Sequence, residues 1–119
     1  MSGSQITLNL IDGAVSFKFS PEAAQELKEE MASLMTSLKA VAASATPGAG
    51  VKPVRHKSME YRYTGDIFLE IECNPNIWPS PFAAKVLLTV RDDRLRLTTQ
   101  AELTRIIEDV NIYLEQAAG

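Results

Sequence analysis

The strictest constraint in this chain is a period of two. Ile6, Leu8 and Leu10 alternate with Thr7 and Asn9, and Val15, Phe17 and Phe19 alternate with Ser16 and Lys18. Met59, Tyr61 and Tyr63 alternate with Glu60 and Arg62; Ile67, Leu69, Ile71 and Cys73 run on with Glu70 and Glu72 between them. Ala84, Val86, Leu88 and Val90 alternate with Lys85, Leu87, Thr89 and Arg91, and Leu95 and Leu97 alternate with Arg94 and Arg96 in a short last run. Successive side chains of a strand point to opposite faces, so each run has one dry and one wet face. Strands with one wet face belong to antiparallel sheets, because parallel strands are covered on both sides.

Turn signals separate the runs. Asp12-Gly13 predicts a tight hairpin in which both turn residues tolerate positive φ. Gly65-Asp66 predicts a second hairpin, and Asp92-Asp93 a third turn.

Two stretches have helical spacing instead. Ser20-Pro21 opens the first, with Ser20 as cap and Pro21 at the first helical position, where no N–H is needed. Leu27, Met31, Leu34, Leu38 and Val41 then form one stripe, which predicts a helix packed on the sheet of its own domain. The second is predicted to open on a capping box of Thr99 and Glu102. Its apolar face is Leu103, Ile106, Ile107, Val110 and Leu114, with Glu102, Arg105, Glu108, Asp109 and Glu115 mostly opposite.

The order is therefore ββα-ββββα. The expected fold is α+β: a mostly antiparallel sheet of about six strands with both helices on one face. A length of 119 residues fits a single domain spanning residues 1–119 with one core. The segment SATPGAGVKP, Ser44 to Pro53, predicts a flexible connector around residues 44–55, because Gly, Pro and small residues dominate it.

The residues that could carry chemistry do not assemble into a known pattern. His56 is the only histidine and Cys73 the only cysteine, too few for a zinc site or an internal disulfide. Cys73 shares a face with Leu69 and Ile71 and reads as a small core residue. Glu70 and Glu72 share a strand face, with Arg62 and Lys85 as expected cross-strand neighbours, and so read as a solvated, charge-paired surface. No phosphate-binding glycine loop is present. The expectation is a protein that is not an enzyme and needs no cofactor or metal. A net charge of −3 disfavours nucleic acid and anionic membranes as partners. No stretch reaches the ~18 apolar residues that predict a membrane span, and MSGSQITLNL has no secretory pattern. With one cysteine, a reducing compartment is expected, cytoplasmic or stromal, with peripheral recruitment to a membrane complex open.

The most distinctive stretch is ECNPNIWPSPF, Glu72 to Phe82, which holds the only Trp and three prolines. Residues before proline avoid the helical region, so this connector is stiff before it folds. Two roles follow. Trp78 and Phe82 can close one end of the core. Alternatively, Ile77, Trp78, Pro79, Pro81 and Phe82 form a presented interaction surface, since rigid aromatics resemble binding hot spots.

The C-terminal stretch NPNIWPSPFAAKVLLTVRDDRLRLTTQAELTRIIEDVNIYLEQ, about the last 45 residues, resembles small conserved proteins of cyanobacteria and chloroplasts. The resemblance implies an assembly factor or accessory subunit near the photosynthetic machinery, and it carries over no site residue. The leading expectation is a non-catalytic interaction module that binds a protein partner, or a second copy, through the Trp78 connector, a sheet edge or the Met31 helix. The alternative is a small domain with an apolar-ligand pocket between sheet and helices. A third is nucleic-acid binding through Arg91, Arg94, Arg96 and Arg105.

Overall fold

The computed structural model describes residues 5–44 and 55–118. The connector expected around residues 44–55 lies almost wholly outside them. Six strands and two long helices follow in the expected order: β1 (Gln5–Leu10), β2 (Gly13–Lys18), α1 (Pro21–Ser44), β3 (Met59–Thr64), β4 (Phe68–Cys73), β5 (Lys85–Arg91), β6 (Arg96–Glu102) and α2 (Leu103–Ala118). All strand pairings are antiparallel. The fold is α+β.

The strands form two sheets rather than one. β1 and β2 pair as a hairpin, and β3 to β6 form a meander in chain order. Among the described residues one backbone hydrogen bond joins the two, from the Ile11 N–H to the Gln100 carbonyl at 3.4 Å. The ladder cannot continue along β1, because α2 lies against that strand. Side chains make the joint instead. Phe19 meets Phe17 edge-on at 5.7 Å, Tyr63 edge-on at 4.8 Å, and Tyr113 at 6.0 Å. Such pairs add to the energy of burial alone.

Alternation delivers the core as expected. The registers Tyr61↔Ile71↔Leu88 and Leu69↔Val90 place buried residues on one face of the meander. Leu27, Met31, Leu34 and Leu38 of α1 are buried, and so are Leu103, Ile106 and Val110 of α2. They fill the space between the sheet and the helices. Ser20 caps α1: its Oγ accepts the Ala23 N–H at 3.1 Å. Tyr61 Oη donates to the Ala23 carbonyl at 3.0 Å, which pins the first turn of α1 to β3.

Three local expectations are corrected. The first hairpin turns at Ile11-Asp12, since Leu10 pairs with Gly13. Among the described residues only Gly13 has positive φ, at +154°, so glycine serves the start of β2 rather than a turn with two such residues. The Thr99–Glu102 capping box does not form; these residues belong to β6, which pairs Val86 with Ala101 and Leu88 with Thr99. Pairing along β5 satisfies the backbone groups that the box would have capped, and α2 starts instead with the Leu103 N–H on the Ala84 carbonyl at 3.1 Å. Asp109, expected on the wet face of α2, is buried because α2 covers the edge of β1 as well as the core.

Candidate interaction surface

The connector from Asn74 to Ala84 is built from two short 3₁₀ turns, Pro75–Ile77 and Pro81–Ala83, each with proline at its start and a polar cap before it. Asn74 Oδ1 accepts the Asn76 N–H at 3.0 Å and the Asn76 Nδ2 at 2.9 Å. Ser80 Oγ accepts the Ala83 N–H at 3.3 Å. Asn76 also clamps the chain entering β3: its Oδ1 accepts the His56 N–H at 2.9 Å and its Nδ2 donates to the His56 carbonyl at 2.7 Å. Proline fixes φ and the caps satisfy the free N–H groups, so little freedom remains.

This frame divides the five singled-out residues. Pro81 is buried, as is Pro75 before it. Trp78 is half-buried against the core. Its indole Nε1 is buried without a well-formed hydrogen bond and stands against the Cys73 thiol. Burial pushes that thiol's pKa up, and the indole N–H draws it partly back. Cys73 is therefore a core thiol with little thiolate character. Pro79 is exposed, Ile77 is 65% exposed and Phe82 is 82% exposed. Trp78 closes the core, while Ile77 and Phe82 project into solvent.

Beneath the connector lies a cleft of about 270 Å³ on the uncovered face of the meander, lined among others by Glu60, Glu72, Ile77, Trp78, Lys85 and Leu87. Glu60 stands directly across from Glu72, a like-charge arrangement that costs energy in an antiparallel pair. The expected Arg62–Glu70 pair forms at 2.7 Å. Lys85, two residues along β5 from the partner of Glu72, lines the same cleft as Glu72 as expected and also stands opposite Glu102 of β6.

Among the described residues no three histidine, cysteine or acidic side chains gather as a metal site would require. His56 contributes its backbone to the Asn76 clamp. Of the late arginines, Arg91 covers the Phe68 ring at 4.4 Å and stands opposite Arg96 across the β5–β6 pair, with Arg94 in the turn between them, while Arg105 of α2 reaches Asp109 at 3.6 Å. Among the described residues no helix is long and apolar enough to cross a membrane. Sequence reasoning missed Asn76, whose role needs the spatial neighbourhood of His56, twenty positions away; the Asn-Pro-Asn spacing was the available signal. Comparison of the chain with protein-family models, with curated proteins and with solved structures returns no match.

Proposed function

We propose that this protein is a non-catalytic interaction module whose connector presents Ile77 and Phe82 to a protein partner. The observation that supports it most is exposure on a rigid frame. Two large apolar side chains, 65% and 82% exposed, stand on capped turns anchored by buried prolines. An unsupported loop would lose entropy on binding, and this one is already ordered. Large apolar anchors of this kind carry most of the energy in protein interfaces. An assembly factor or accessory subunit beside the photosynthetic machinery is the role that the resemblance of the C-terminal stretch would imply for such a module.

The test is capture from native lysate with wild-type, Ile77→Ser/Phe82→Ser and Leu95→Ser baits. Leu95 is 71% exposed but lies in the β5–β6 turn, so it controls for generic stickiness. A stoichiometric partner kept by Leu95→Ser and lost by the double variant supports the reading. A partner kept by all three baits removes it.

A further inference from the structure

We propose that the outer edge of β3 docks an extended lysine- or arginine-rich segment of a partner protein as an added strand. The proposal rests on the reading of this chain as an interaction module and supplies the chemistry of the partner.

An edge strand offers unpaired N–H and C=O groups, and folds usually block such edges. Here the blocks are unequal. The outer edge of β1 is covered by α2, whose Asp109 carboxylate accepts the Asn9 N–H at 2.7 Å. β6 receives the Ile11 N–H. Two edges remain, β2 of the hairpin and β3, the first strand of the meander; among the described residues no backbone group bonds to the outer side of either, and β3 is the one bordered by an acidic cleft.

A cleft of about 330 Å³ runs beside that edge, between β3 and α1, lined by Glu26, Glu29, Glu30, Glu60, Tyr61 and Arg62. Four carboxylates thus face one guanidinium, and Arg62 is already held by Glu70 at 2.7 Å. None of the four carboxylates forms an ion pair among the described residues. Lys28 does not neutralise them, since it lines a different cleft with Asn111 and Leu114 of α2.

The open edge asks for a strand, and the charge selects which strand. Main-chain hydrogen bonds give a docked strand its affinity, and side-chain pockets give it specificity. Side chains on an added strand alternate between α1 and the uncovered sheet face. One set meets Glu26, Glu29 and Glu30; the other meets Glu60. A second copy of this chain offering the same edge would bring the same carboxylates and be repelled. A basic strand meets an attractive surface on both sides.

The probe is a fluorescein-labelled twelve-residue peptide of alternating lysine and threonine. Two controls accompany it: the glutamate–threonine counterpart, and a lysine–threonine peptide N-methylated at alternate residues, which keeps its charge but cannot pair as a strand. Binding is read by anisotropy, and the site by amide shifts of the ¹⁵N-labelled protein. The expected result is binding with shifts concentrated at residues 59–64. Affinity should fall at least about tenfold for both control peptides and for Glu29→Lys/Glu30→Lys protein of unchanged circular dichroism, and persist in Ile77→Ser/Phe82→Ser protein. Equal binding of the methylated peptide, unchanged affinity in the charge-reversed protein, shifts centred elsewhere, or no binding would overturn the proposal. So would a dimer that forms with concentration through residues 59–64. None of these outcomes alters what the connector variants do in lysate, so the two readings fail separately.

Discussion

Asp109 takes both donors of Asn9. Its Oδ2 accepts the backbone N–H at 2.7 Å and its Oδ1 accepts the side-chain Nδ2 at 2.8 Å. A carboxylate on α2 therefore satisfies the backbone and side-chain donors of one residue of β1. Asp109→Ala leaves two part-buried donors without their acceptor and should cost about 2–3 kcal/mol. Asp109→Asn keeps one acceptor but sets an amide N–H against a donor, and should cost about half as much. Urea unfolding of the two variants against wild type checks the order.

The connector should separate stability from binding. Trp78→Ala removes a half-buried indole and should cost about 2–3 kcal/mol, below the range for a fully buried aromatic. Ile77→Ala and Phe82→Ala should each change stability by no more than about 0.5 kcal/mol, as exposed positions do. Denaturation midpoints for the three variants give the comparison. A large loss in Phe82→Ala would mean that its ring is part of the core.

Alkaline pH should weaken the fold through tyrosine. Burial, helped by the Glu26 carboxylate, raises the pKa of Tyr61, and burial also raises that of Tyr113. Each folded pKa lies above the unfolded value of about 10. Their contribution is thus complete below about pH 10 and lost above it, because the unfolded chain releases the proton first. Tyr61→Phe should cost about 1–2 kcal/mol at neutral pH through its bond to the Ala23 carbonyl. It should also make the decline above pH 10 shallower, with the part due to Tyr113 remaining. Unfolding free energies at intervals from pH 7 to 11 test both claims.

The Asn76 clamp is a third point of leverage. Asn76→Ala removes a side chain that serves both backbone groups of His56, and it should cost about 1–3 kcal/mol. Asn76→Asp keeps the acceptor for the His56 N–H but places an anion against the His56 carbonyl, so it should rescue little. Faster amide exchange at His56 in either variant, with exchange at Leu88 unchanged below global unfolding, would locate the effect.

Period-two alternation made the core of the meander legible, since burial of Leu69, Ile71, Val86 and Leu88 follows from which face each residue takes. The Ser20 cap was legible for the same local reason. What escaped was decided at a distance. Thr99 to Glu102 satisfy both a capping pattern and a strand pattern, and pairing with β5 decides between them. The buried setting of Asp109 depends on Asn9, 100 positions away, which no helical wheel contains. In the connector, proline density announced rigidity, but which of Ile77, Trp78 and Phe82 would face solvent depended on where the core ended.

The four strands of the meander pair only with their neighbours in the chain, so they can assemble as soon as they leave the ribosome. The hairpin cannot. Asn9 waits for Asp109, and the carbonyl of Phe19 waits for the Tyr113 hydroxyl, 94 positions later. β1 and β2 are thus made well before the groups that secure them, and during synthesis the β1 edge stays open for pairing until α2 emerges to cover it.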